Sequence, residues 1–585
     1  MYQTLQKLIL HHPGNAPNTL YYFGNVHEEN GTLRLDADEC LIFRSYFNMF
    51  SARQWKELTS IERVLFQLRL QGEGVLELWK ADMNGLAFLV LSIPFCFSEA
   101  SVQQTKMIPL DELDVACWLC VRSVNSPVTV YDGAVLTDAV PTQKPNLACC
   151  FCTYKREREI KRNVQTLLSV IRDSGSPLYR AADIFIADNG HTLYTDDFNN
   201  EGNVFLFENA NFGGSAGFTR CMIEAAILRK GRYSHLLLMD DDALIHSYVV
   251  ERTVCLLSFL RPQFQSYMIG GALLSLQQPW IQIENGGEFR NRGTLLNGAQ
   301  KDLRDFFAVL HNWQEDPKLC VNYNAWFYAC IPSDIITEQN LPLPLFLHGD
   351  DVEFSLRSRF RIIHMNGICV WHPEPASVRR PHIMYYNHRN YSIIEALCNP
   401  EMTATKYCST EFRKLMRLLT ELRYVEAMYT LRGVRDFLDG PAHFLTLNHE
   451  TLNRELMKWK SFDTCCISDI ESRRFTEPLQ KSKSRIQKTL DMLLPSQEKQ
   501  RLYDINTVPF SCVDYSGVKE ICFVDRNTGN GVILRRDRVQ HNAVLREWWT
   551  LARRIIHDYR RAALEWRAYA GELESLPFWK SYLGL

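Results

Sequence analysis

The chain has 585 residues, 46% hydrophobic, 12% aromatic and 23% charged, the balance of a globular protein with ample core. That excludes a mainly disordered, collagen-like or coiled-coil chain, and at ~150 residues per domain it gives a prior of three to four domains. Lys and Arg number 65 against 67 Asp and Glu, so no global field draws the protein to nucleic acid or lipid, and any such affinity must come from a local patch.

Residues 1–145 read as a β-sandwich domain. The start gives way to His11-His12-Pro13 before an apolar leader can build. The longest apolar run, residues 87–97, is broken by Ser92 and Pro94 and falls short of the ~20 residues of a membrane helix. Segments 75–79, 86–91 and 128–131 alternate or run apolar, with turn residues at Gly72-Glu-Gly74, Asn84-Gly85 and Asp132-Gly133, which suggests several short strands. Pro141-Thr-Gln-Lys-Pro145 reads as a linker. The 18 cysteines are scattered, and neither Cys117-Trp-Leu-Cys120 nor Cys149-Cys150-Phe-Cys152 has a second CxxC or a His pair at zinc spacing. Buried reduced thiols and a cytoplasmic setting are the expectation.

Residues 146–395 alternate strand and helix. Apolar strands at 147–152, 184–187, 204–207 and 235–239 are separated by helical patterns around 158–174 and 217–230, the signature of βαβ units and a parallel sheet. Residues 396–585 read as helix, with apolar residues at helical spacing over 412–437, a stop at Gly440-Pro441, and a long amphipathic pattern over 543–569.

Chemistry concentrates at the predicted strand ends, where ligands bind in such sheets. The fourth strand ends in Asp240-Asp241-Asp242. Adjacent carboxylates cannot be buried without compensation, and hard oxygen ligands suit Mg²⁺ or Mn²⁺. In extended backbone Asp240 and Asp242 share a face while Asp241 points away. A solvated acidic turn fits the triplet equally well when it is taken alone. The neighbouring strand ends carry Thr153-Tyr-Lys-Arg156 and Asp188-Asn-Gly190. A glycine-rich stretch from Asn211 to Arg220 enters a helix whose start favours an anion. Downstream come the aromatic strip Tyr323-Asn-Ala-Trp-Phe-Tyr328, then Gly349-Asp350-Asp351-Val-Glu353 before a helix, then Trp371-His372 ending a strand. Aromatic faces suit sugar rings but serve cores as often. The aspartates could be helix caps.

In this order the motifs resemble an inverting nucleotide-sugar glycosyltransferase of the GT-A fold, and more narrowly the polymerising galactofuranosyltransferases of bacterial cell-wall synthesis. Arg44-Ser-Tyr-Phe-Asn-Met-Phe50 followed by Trp55 looks like that family's N-terminal β-sandwich. The resemblance covers residues 20–395 well and the helical C-terminal third in general character. It implies an α/β fold with a GT-A, Rossmann-like core, an N-terminal β-sandwich and a C-terminal helical domain. It further implies donor contacts from Tyr154, Arg156, Asp188, Asn211 and Asp241, a divalent ion, Mn²⁺ or Mg²⁺, on Asp240, Asp242 and His372, and acceptor contacts from Glu284, Trp326, Phe327 and Asp350. Asp351 would be the general base.

The implied reaction moves galactofuranose from UDP-galactofuranose to a growing cell-wall or lipid-linked glycan with inversion to a β-linked product. Implied partners are the donor and the glycan acceptor, with no nucleic acid, peripheral contact at the inner face of the cell membrane, and room for a homo-oligomer. The C-terminal helix offers Arg553, Arg554, Arg560, Arg561 and Arg567 beside Trp548, Trp549, Ile555, Ile556 and Trp566 for such contact. The family has a second Trp where Phe327 stands, a Trp where Gly349 stands and a His where Asn387 stands, all on the acceptor side. Another inverting transferase of the same fold, such as a rhamnosyltransferase, and a non-catalytic glycan-binding protein are the alternatives.

Overall fold

In the N-terminal region the long strand Arg63–Ala81 organises everything around it. It pairs with Val128–Thr137 along its first half and with Ala116–Ser123 along its second, while Ala87–Gln104 runs along its other edge. The exchange of partners falls at Gly72-Glu-Gly74. The sequence expectation of a turn there is corrected: the glycines bend one continuous strand. Gly72 has φ +112°, and a Cβ on it would run into the Pro127 carbonyl, as one on Gly74 would into that of Arg122. Glycine permits both close approaches. The expected sandwich is thus a single curled sheet, nine-stranded among the described residues.

These coordinates are a computed structural model; it describes all residues except 1, 12–15, 199–201, 374–379, 459–462, 467, 469–473, 480–482, 485, 488–489, 491–496, 505–507, 509–511 and 527–528. The curled sheet shares one apolar core with the next region, in which Phe50, Trp55, Leu256 and Ile269 are all buried. A buried arginine ties the two together, since Arg252 donates to the carbonyls of Phe47 and Asn366.

The second sheet carries the site. Its strands are β1 (Leu147–Thr153), β2 (Ala182–Asp188), β3 (Val204–Glu208), β4 (His235–Asp240), β5 (Met268–Ser275), β6 (Ile281–Glu284), β9 (Lys301–Asp302), β10 (Tyr328–Pro332) and β11 (Ile362–His372). Between β6 and β9 lies the separate hairpin of β7 (Gly287–Phe289) and β8 (Thr294–Leu296). The order is β3-β2-β1-β4-β10-β5-β6-β9, with β11 beside β5. Strands β1 to β4 are mutually parallel where they pair, and β10 is antiparallel to both β4 and β5. The helices α1 (Glu157–Ile171), α2 (Gly213–Met222) and α3 (Ser247–Phe259) cross between them. Chain order reverses between β1 and β4, so a crevice opens at their carboxyl ends. There Cys152 lies in register with Asp240, and Thr153 with Asp188.

Helix α4 (Asp350–Ser358) precedes β11, and α5 (Ile383–Cys398), α6 (Ala404–Thr420) and α7 (Tyr424–Leu438) follow it. The helix expected across 412–437 is two helices, because Leu422 adopts a left-handed φ of +58° and buries its side chain at the corner. Gly440-Pro441 ends the second of them as expected, with Gly440 at φ +82° just past the C-cap Asp439, and it also opens another, Gly440–Thr446, with proline in the first turn, where its missing N–H costs nothing. Among the described residues of 463–535, a four-stranded sheet interrupts the helical region. Its antiparallel strands Val518–Val524 and Asn530–Arg535 lie to either side of Gly529.

The long C-terminal helix α8 (Arg538–Leu573) turns Trp548, Ile555 and Trp566 inward. Three of its arginines are bound internally: Arg554 to Asp439, Arg561 to the Leu438 carbonyl and Arg567 to that of Ala396. Trp549, Ile556 and Leu564 remain exposed. The final helix α9 (Leu576–Leu583) returns to the second sheet, burying Trp579, whose Nε1 donates to the Pro342 carbonyl over 2.9 Å. Tyr582 lies against Phe212 with ring centroids 4.4 Å apart. Among the described residues no helix is long and apolar enough to cross a membrane.

Candidate active site

The acidic triplet leaves β4 at the crevice. Asp240, Asp242 and His372 come together, one ligand atom from each lying within 4.8 Å of the others. Strand β11 delivers the histidine, whose Nε2 is 3.2 Å from Asp242 Oδ1 and whose Nδ1 is 2.7 Å from the Pro373 carbonyl. A carbonyl can only accept, so Nδ1 carries the proton and Nε2 is left to face the carboxylates, the orientation a ligating histidine needs. Burial lifts the Asp240 carboxyl to about 7, so a charged Asp240 calls for a cation. Two carboxylates and an imidazole on one side of a crevice fit a divalent ion such as Mn²⁺ or Mg²⁺.

Asp241, in the turn just past β4, is held apart from the triad by its own partners. Its oxygens accept from Thr153 Oγ1 and Arg156 Nη1, each over 2.7 Å, and Arg156 also reaches Asp242 at 2.8 Å. Thus Arg156, on the loop after β1, is held by the triplet. Tyr154 beside it is exposed. Asp188 is fully buried and accepts from the backbone N–H groups of Gly190, Thr192 and Leu193, so it fixes the loop after β2. Asn211 is half-buried, with its Oδ1 toward the Gly213 N–H. The neighbouring glycines serve packing. Gly213 has φ +79° and abuts the Phe346 carbonyl, and Gly217 lets α2 close on Cys152 of β1.

Across the crevice α4 starts with Asp350 and Asp351, and its N-cap is Gly349 at φ +89°, so neither aspartate is the cap. Burial raises both carboxyls above the ordinary range, Asp350 further because Asp351 adds a like charge. Glu284, at the end of β6, is raised to about 8 by burial and then by Asp351, with His372 opposing. Hence Glu284 lies within electrostatic reach of both the triad and α4. A site with carboxyls held at different proton affinities can divide acid and base roles among them.

Trp326 and Phe327 are placed differently from the expectation of exposed ring faces. Trp326 is 4% exposed and packs edge-on against Phe218 of α2 and Phe354 of α4. Phe327 is buried in the other core, on the opposite side of the sheet. Trp326→Ala should therefore lose stability, about 3–5 kcal/mol for a buried Trp, and lower kcat through α4. Denaturant unfolding with steady-state kinetics checks this, and an unchanged midpoint with a raised acceptor KM would return the ring to the acceptor site.

Several residues that shape the site lie outside the sequence motifs. Asn163 of α1 is fully buried and donates to the carbonyls of Asp241 and Ala243 at 2.9 and 2.8 Å, clamping the triplet's turn. Phe346, His348 and Gly349 all have positive φ, a strained approach to α4 of the kind that persists only when its surroundings hold it. Asn390 holds it, donating to the carbonyls of Leu347 and His348, each over 2.7 Å, while buried Arg389 donates to that of Leu345. A polar residue at a buried helical position is the signal that could have found Asn163 and Asn390.

A parallel βα core with a switch-point crevice, an acidic triplet on one wall and paired aspartates on the other define a glycosyltransferase of the GT-A type. The sequence profile of the galactofuranosyltransferase 2 N-terminal family matches residues 8–137. Galactofuranosyltransferase GlfT2 of Mycobacterium tuberculosis is 23% identical over 77% of this chain and 73% of its own length. That of Mycolicibacterium smegmatis is 23% identical over 94% and 90%. The profile match and both relatives support the galactofuranosyltransferase family for this chain. Among solved structures, glucosyl-3-phosphoglycerate synthase of M. tuberculosis with Mn²⁺, uridine diphosphate and phosphoglyceric acid overlaps 44% of this chain and 79% of its own, at 10% identity and a TM-score of 0.29.

Proposed function

We propose that the protein transfers galactofuranose from UDP-galactofuranose to a glycan acceptor with inversion, in a metal-dependent reaction. The observation that carries this is the meeting of Asp240, Asp242 and His372 within 4.8 Å at the same crevice as the raised carboxyls of α4. The relatives' name supplies the sugar. Asp240, Asp242 and His372 would hold the ion, which when bound supplies charge compensation to the departing diphosphate.

The chain's own residues do the rest. Tyr154 offers an exposed ring for the uracil, and the loops anchored by Asp188 and Asn211 border it. Arg156 exchanges its Asp242 contact for the diphosphate, while Asp241 keeps the guanidinium in place and stays beside the ribose. Asp351 removes the proton of the attacking acceptor hydroxyl. Asp350 and Glu284, both held at higher proton affinity, position that hydroxyl as hydrogen-bond donors. A single displacement with the base on the acceptor side inverts the anomeric centre, so an α-linked donor gives a β-linked product. The test is a panel of UDP- and dTDP-sugars with Mn²⁺ or Mg²⁺ and product linkage analysis. UDP-galactofuranose alone should support β-linked transfer. Turnover of a dTDP-sugar instead would make the protein a different inverting transferase, and glycan binding with no turnover would make it a binding protein.

A further inference from the structure

Beside the α4 wall, the β7–β8 hairpin and helices α5 and α6 line an open cavity of about 340 Å³. Its lining is strongly cationic: Arg292, Lys414, Arg417 and Arg423 face one carboxylate, Glu411. Glu421 and Glu426 pair with Arg417 and Arg423 from behind, and Glu395 acts on Arg292 and Lys414, so the excess of cations belongs to the lining itself.

Arg292 is the built element. Its side chain is 1% exposed, its Nε donates to Glu411 over 3.0 Å, and its guanidinium lies 4.1 Å from the centre of the Tyr407 ring. Glu411 is shared, since its second oxygen receives His388 Nδ1 at 2.6 Å. Arg292 Nη1 is left buried with no hydrogen-bond partner. Native structures rarely leave such a donor unpaired, and each case calls for an explanation. Lys414 Nζ donates one proton to the Arg292 carbonyl over 2.6 Å and has others to give. Thr294 and Tyr391 line the side of the cavity toward α4 and the hairpin. Tyr391 also lies within electrostatic reach of Asp351 and Glu284.

We propose that this cavity binds an anionic group of the acceptor, a phosphate or carboxylate set back from the hydroxyl under attack, with Arg292 Nη1 and Lys414 as its innermost donors. The assignment of the anion to the acceptor rests on the transferase reading; the anion site itself does not. Charge-assisted bonds of this kind are the strong ones, and an anion is the ligand that pairs the orphaned guanidinium donor and offsets the excess positive charge together.

The experiment uses the full chain without metal, titrated with inorganic phosphate at constant ionic strength and followed by calorimetry. Wild type is compared with Arg417→Gln, whose side chain is 69% exposed, with the double variant Lys414→Gln/Arg417→Gln, and with Arg413→Gln on the same helix outside the cavity. Phosphate should bind the double variant at least tenfold more weakly, bind Arg417→Gln with an intermediate loss, and bind Arg413→Gln as it binds wild type. In transfer assays the preference for a phosphorylated acceptor over its dephosphorylated form should fall at least tenfold in the double variant. Phosphate binding that is equal in wild type and both cavity variants overturns the site. Weakened phosphate binding with an unchanged acceptor preference makes the occupant free phosphate and overturns its assignment to the acceptor. No turnover by wild type with any donor overturns the transferase reading and leaves the phosphate result standing.

Discussion

Asp351→Asn should fold, bind UDP as wild type does, and turn over about 10²–10⁴-fold more slowly, the typical contribution of a general base. The substitution keeps the size of the side chain and its acceptor toward the Val352 N–H, which Asp351 Oδ1 meets at 2.8 Å, so the first turn of α4 is retained. What is lost is the proton acceptor. The pH profile separates this from a structural effect. Burial raises the Asp351 carboxyl, and catalysis needs it deprotonated, so activity falls as pH drops through a value above the usual carboxylate range. The residual activity of the Asn variant should lack that acid limb. A variant with near wild-type kcat would make Asp351 a structural residue of the helix start and pass the role to Asp350.

The second large effect is expected at the other wall. Asp242→Ala should lower transfer by at least about 10²-fold, since even partners outside the coordination sphere cost 10–100-fold, and EDTA should silence the wild type until Mn²⁺ or Mg²⁺ is restored. Binding of Mn²⁺, followed by the loss of its free-ion paramagnetic resonance signal, should weaken in step. Removing Asp242 also frees Arg156 from one of its two carboxylates, at 2.8 Å, so UDP affinity measured without metal should hold steady or rise. Wild-type turnover by this variant in chelator would remove the metal from the account.

The strand–helix alternation was legible because buried parallel strands are continuous apolar runs, and β1 to β4 fall within two residues of the expected bounds at each end. The triad was legible because Asp240 and Asp242 close an apolar strand and His372 ends one parallel to β5. Features that depend on distant backbone were not legible. Gly72 and Gly74 look like a turn unless Pro127 and Arg122 are known to press on them. The corner at Leu422 contains neither glycine nor proline, and the periodicity runs straight through it. Trp326 reads as a platform for sugars because nothing in its own segment reveals that Phe218 and Phe354 close over it.

The return of α9 has a consequence for how the molecule is made. Phe212, at the entrance to α2, is braced by Tyr582, and Trp579 closes the same flank at the Pro342 carbonyl. Phe212 and Tyr582 are separated by roughly 370 positions, so at ~5–20 residues per second the ribosome needs roughly 20–70 s to supply the second after the first. For that interval the nascent βα core carries an apolar flank with no cover. Contacts so distant in sequence also close slowly. The donor-side wall is therefore among the last parts of the protein to become native, and it is where a nascent chain would most need a chaperone.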